Sequence, residues 1–70
     1  MSQWRASPAR KVFSALEKIG WTVKRQSGSH RVLAKTGLPN FVFAFHDREE
    51  IGPRMLARIG KSTGLTPDDL

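Results

Sequence analysis

The sequence predicts a small α+β domain with the element order α-β-β-β-α and both helices on one face of an antiparallel sheet. Three patterns lead there. Apolar residues recur at helical spacing near the start (Val12, Phe13, Leu16, Ile19) and again later (Met55, Leu56, Ile59). Between these stripes lie three short stretches rich in β-branched and aromatic residues, separated by turn residues. With 70 residues, 39% of them hydrophobic, the chain can bury one core and has no room for a separate cofactor domain.

Each element has its own grounds. Residues 1–6 lack periodicity and are expected to fray. Ser7-Pro8 reads as a helix start, with Ser7 as N-cap and Pro8 at the first helical position, where a missing N–H costs nothing. That helix runs over 8–19, and Gly20 closes it. Trp21–Gln26 alternates as a strand, with Trp21 and Val23 toward the core and Thr22, Lys24 and Gln26 toward solvent. Ser27-Gly28 marks a hairpin turn, and His30–Lys35 is the second strand. Thr36–Asn40 holds Gly, Pro and Asn and reads as a second turn. Phe41–His46 is the third strand, with three phenylalanines on one face and Val42, Ala44 and His46 on the other. Such a strand is either central and covered on both sides or, because two short helices can cover one face only, packs one face on the helices and offers the other to a partner, which is the expectation here.

Asp47–Glu50 is a charged connector. Pro53 opens a second helix, which Gly60 weakens by about 1 kcal/mol relative to Ala and Gly64 ends. Thr66-Pro67-Asp68-Asp69 repeats the cap-then-proline signature for one last turn. Trp21 is assigned to the core, whereas Trp4 either stacks on the second helix or stays loose. No repeat or linker interrupts the chain, so residues 1–70 read as one domain. Helix, three-stranded meander, helix is the order of the double-stranded-RNA-binding domain, which describes a fold and does not fix a function.

Composition narrows the chemistry. There is no cysteine, which removes disulfides, thiolate metal sites and thiol nucleophiles. His30 and His46 have no other soft ligand nearby, so neither a metal nor another cofactor is expected. No apolar run approaches the roughly 20 residues of a membrane span, and the first residues do not look like a signal peptide. A cytoplasmic protein without a membrane partner is the expectation. Residues 1–46 hold eight of the twelve basic side chains and one of the six acidic ones, Glu17; residues 47–70 hold the other four and five. A basic front half suggests a face for a polyanion.

His30 follows the Gly28-Ser29 turn and lies between Lys24-Arg25 and Arg31. Histidine titrates near neutrality and suits proton transfer. Flanking cations can hold a phosphodiester, and a glycine lets a backbone approach it closely. The set fits metal-independent RNA cleavage, with His30 catalytic and Lys24, Arg25, Gly28, Ser29, Arg31 and Lys35 as RNA contacts. It also fits a solvent-facing histidine beside a turn. His46 ends the third strand near the same end of the sheet and is a candidate auxiliary group. Its plainer role is that of a partly buried histidine capping the connector through Asp47.

Arg25-Gln26-Ser27-Gly28-Ser29-His30, preceded by Leu16-Glu17-Lys18-Ile19-Gly20-Trp21, resembles the HicA (YcfA-like) family of bacterial toxins over about residues 8–66. Phe45-His46, Leu56, Ile59, Lys61 and Gly64-Leu65 extend the likeness. The chain departs from the family's pattern at Phe45, at Arg54-Met55 and at Gly60. The resemblance implies a double-stranded-RNA-binding-like fold, the toxin of a type II toxin–antitoxin system, and metal-independent cleavage of mRNA by a single catalytic histidine, here His30. It also implies a cognate HicB-like antitoxin that blocks the site. The alternative is a noncatalytic double-stranded-RNA-binding module or adaptor. Such a module normally grips phosphates with a Lys-rich start to its last helix, and here that helix offers only Arg54, Arg58 and Lys61.

Overall fold

The computed structural model describes residues 3–70; Met1 and Ser2, part of the stretch expected to fray, lie outside them. The elements are β1 (Ser7–Pro8), α1 (Ala9–Lys18), β2 (Thr22–Ser27), β3 (His30–Lys35), β4 (Leu38–Ala44), β5 (Glu50–Ile51), α2 (Pro53–Thr63) and a 3-10 turn at Pro67–Asp69. The main layout is α-β-β-β-α, an α+β fold of the double-stranded-RNA-binding type, with a short β1–β5 pair added.

α1 buries Ala9, Val12, Ala15 and Leu16, the stripe that its apolar spacing dictates. Its end is a Schellman motif: the Trp21 N–H donates to the Leu16 carbonyl and the Gly20 N–H to that of Glu17, both at 3.1 Å. Its start differs from the sequence expectation. Pro8, not Ser7, is the N-cap, and no side chain caps the helix. The Ser7 hydroxyl donates to the Arg5 carbonyl at 3.0 Å. Ser7 and Pro8 pair antiparallel with Ile51 and Glu50. The reason is that the connector supplies acceptors of its own. The Ala9 N–H donates to the Glu49 carbonyl at 2.7 Å and the Arg10 N–H to the Asp47 carbonyl at 3.1 Å. Two of the donors that open a helix are thereby satisfied.

The larger sheet has the order β2-β3-β4 and is antiparallel throughout. Residues opposite one another share a face. Leu33 and Phe41 lie opposite each other, as do Val32 and Val42. Leu33 and Phe43 are buried against the helices, whereas Val42 on the other face is 52% exposed. Three expectations shift. The second turn shrinks to Thr36-Gly37, and Leu38–Asn40 joins β4, where Pro39 is tolerated because an outer strand has one unpaired edge. β4 ends at Ala44, so His46 lies two residues beyond it. Val23 is 40% exposed although it pairs with buried Leu33, because β2 is also an outer strand and bulges between Val23 and Arg25.

Trp21 ties the sheet to α2. It is buried, and its indole N–H donates to the Thr63 carbonyl at 3.0 Å, which provides the partner a buried indole needs. Phe41 meets it edge-on at 6.4 Å between ring centres. α2 opens with Pro53 and closes at Gly64 in the left-handed conformation. Its buried stripe is Leu56, Ile59 and Thr63; Met55, expected in the stripe, is 40% exposed. Thr63 can be buried because its hydroxyl donates to the Ile59 carbonyl and accepts from the Leu65 N–H. At the last turn, Thr66 and Asp69 form a reciprocal capping box.

Trp4 stacks on α2, at Gly60. A Cβ on Gly60 would lie 2.9 Å from Trp4 Cζ2 and 2.7 Å from the Leu65 carbonyl oxygen. The glycine is the clearance that lets the indole and the following chain close on the helix. Gly60→Ala therefore lowers the urea midpoint, although helix propensity alone would add about 1 kcal/mol. A raised midpoint contradicts the packing. Leu16→Ala, at a fully buried site, costs about 2–5 kcal/mol by the same measurement.

Candidate active site at the end of the sheet

Gly28-Ser29 is the whole of the turn between β2 and β3. Gly28 has φ +58°, and among the described residues no non-glycine has a positive φ, so the pair follows the type II′ pattern. A Cβ at Gly28 would meet no atom within 4 Å, which leaves the outside of the turn open. The Gln26 side-chain amide braces it by donating to the Gly28 carbonyl at 3.3 Å.

His30 is the first residue of the central strand, opposite Ser27 on one side and Ala44 on the other. Its backbone is fixed from both flanks while its side chain is exposed. Register puts it on the open face with Arg25, Val32, Val42 and Ala44. Lys24 and Arg25 are exposed on β2, Lys24 within the bulge. This end of the sheet thus gathers His30, Gly28 and Ser29, with Arg25 diagonal to His30 on the same face; Lys24 lies further along β2, level with Val32 and Leu33.

Two of the cations that the sequence groups with them are placed differently. Arg31 is one residue on and lies on the helix face. Its guanidinium sits 4.4 Å over the centre of the Phe13 ring, and its Nη2 is 3.1 Å from Asp47 Oδ1. The side chain is 15% exposed, and its buried Nη1 has no hydrogen-bond partner. The stack and the half-exposed ion pair are each worth about 0.5–1 kcal/mol. Arg31 is engaged with the fold. Lys35 stands at the far end of β3, roughly 16 Å from His30 at about 3.3 Å per residue, and its stem passes over Gly20.

His46 is exposed. Its backbone N–H donates to the Glu49 carboxylate at 3.3 Å, and its carbonyl accepts the Glu49 N–H at 2.9 Å. Glu49, not Asp47, makes this tie, because Asp47 is drawn to Arg31. A groove lined by Gly28, Ser29, Arg31, Phe45, His46 and Asp47 separates the turn before His30 from the connector that carries His46. Sequence reasoning missed the supporting roles of Phe13, Gln26, Asp47 and Glu49. Of these only Gln26 carried a signal, as part of the Arg25–His30 string. The others act across elements and depend on register.

Among the described residues no three His, Asp or Glu side chains gather as a metal ion would require, and no helix is long and apolar enough to cross a membrane. The family model described as HicA toxin of bacterial toxin-antitoxin matches residues 9–65. The match runs from the first residue of α1 past the end of α2 and includes the Gly28-Ser29-His30 turn. No curated protein and no solved structure matches the chain. With the fold of the meander between two helices and a family match over most of its length, the chain belongs to the HicA toxin family, the toxin side of bacterial toxin–antitoxin pairs.

Proposed function

We propose that the chain is an endoribonuclease that cleaves mRNA in the cytoplasm without a metal ion, with His30 as its proton-transfer group. The observation that carries this reading is the setting of His30. It is an exposed imidazole on a central strand paired on both sides, directly behind an open Gly-Ser turn, with Arg25 diagonal to it on the same face. As general base, His30 takes the proton of a ribose 2′-OH. The 2′-oxygen then bonds to the adjacent phosphorus, and the bond from phosphorus to the 5′-oxygen breaks. The products are a 2′,3′-cyclic phosphate and a 5′-hydroxyl. Lys24 and Arg25 offset the charge that builds on the phosphoryl oxygens.

A toxin of this family has an antitoxin as its partner. In our reading the partner is of the HicB type and covers the open face. Val32, Val42 and Ala44 offer it an apolar strip, and the basic front half favours an acidic surface.

His30→Ala lowers the rate of RNA cleavage by about 10²–10⁴-fold, the usual worth of a general acid or base, with an unchanged circular dichroism spectrum. Cleavage by the normal chain persists in EDTA. Equal rates for the two proteins contradict the assignment, and binding without cleavage by the normal chain favours the noncatalytic RNA-binding module.

Charge reversal at Lys24 and Arg25 weakens RNA binding and lowers its salt slope by roughly 0.7–0.9 per lost phosphate contact. An unchanged slope moves the RNA face to Arg54, Arg58 and Lys61.

Antitoxin binding slows with added salt and protects His30 from diethylpyrocarbonate. Equal modification in the free and bound toxin shows that inhibition acts from another surface.

A further inference from the structure

Cleavage by the route above needs two proton transfers, one from the 2′-oxygen and one to the 5′-oxygen. The family resemblance implies one histidine. A 5′-alkoxide is strongly basic and leaves poorly unless it is protonated as the bond breaks. The geometry points to His46 as a second catalytic residue, the general acid that protonates the 5′-oxygen. This inference rests on the reading of His30 as the base.

Three observations converge on it. The first is register. His30 stands opposite Ala44, and His46 is two residues further along the same chain. His46 lies just beyond the end of β4, so both histidines stand at the same end of the sheet.

The second is the groove. His46 lines it together with Gly28 and Ser29, the turn that delivers His30. Of the other side chains that line it, serine and arginine are not among the residue types that serve as general acids, and Arg31 is already engaged with Phe13 and Asp47. Asp47 is ion-paired with Arg31 and acts as an acceptor. His46 is the remaining donor.

The third is how firmly His46 is held. Glu49 takes both its N–H and its carbonyl. The next residue, Asp47, is bound through its side chain to Arg31 and through its carbonyl to the Arg10 N–H of α1. The His46 side chain is nonetheless exposed. Its backbone is fixed at the rim of the groove.

The step balances. His30 gains the 2′-proton while the 2′-oxygen bonds to phosphorus. The bond to the 5′-oxygen breaks, and the His46 imidazolium gives its proton to that oxygen. Exchange with water then returns both rings to their starting states.

The test uses the full chain and an oligonucleotide built around its mapped cleavage site, in two forms. One is ordinary RNA. The other carries sulfur in place of the scissile 5′-oxygen, a leaving group that needs no acid. His46→Ala is expected to lose about 10²–10³-fold on ordinary RNA and to come within about tenfold of the normal chain on the sulfur substrate. His30→Ala stays impaired on both. If His46→Ala loses equally on both substrates, or loses nothing on ordinary RNA, His46 is not the acid while the reading of His30 stands. If His30→Ala cleaves both substrates as well as the normal chain, the reading beneath fails and the inference fails with it.

Discussion

Two helices of ten and eleven residues can cover one face of a three-stranded sheet and no more. That constraint organises the molecule. Phe43 goes under the helices and Phe41 and Phe45 pack against the core beside it, while Val42 between them stays half exposed. The uncovered face follows from the shortness of the two helices. A domain of this size has little stability to spare, so an open apolar strip on it is a costly feature unless something uses it. His30 stands at the end of that strip, and Arg25 borders it.

The connector between β4 and α2 does more structural work than its charged sequence suggests. Its carbonyls at Asp47 and Glu49 satisfy the first amides of α1. Its last residue pairs with Pro8. Its Asp47 carboxylate draws in Arg31, which in turn lies on Phe13 of α1. A segment with almost no buried side chains thus locks the helix start, the central strand and the rim of the groove together. The same ties hold His46 in place.

The fold was legible because its signals were local. The stripe from Val12 to Leu16, the glycine stop at Gly20, the alternation after Trp21 and the phenylalanines at every second position each follow from one element's own period. What was missed required two elements at once. Ser7 looked like a cap because nothing in the sequence shows that Glu49 and Asp47 would supply backbone acceptors. Gly60 reads as a weak point of the helix from sequence alone, and only the fold sets Trp4 against it. Val23 obeyed the alternation, yet an outer strand gave it no cover. At the site, the Gly28-Ser29-His30 turn could be read directly. Arg31 was misgrouped with Lys24 and Arg25, since closeness in sequence says nothing about which face a strand residue takes. Lys35 was misgrouped because a six-residue strand carries it away from His30.

The central claim is that the open face beside His30 is where RNA is met. Amide chemical shifts of the chain, followed by NMR as it is titrated with a 2′-O-methyl RNA that cannot be cleaved, test this most directly. The account predicts the largest shifts at Arg25, Ser29, His30, Val32 and Ala44, with little change along the exposed side of α2. Largest shifts at Arg54, Arg58 and Lys61, with His30 unmoved, would contradict it.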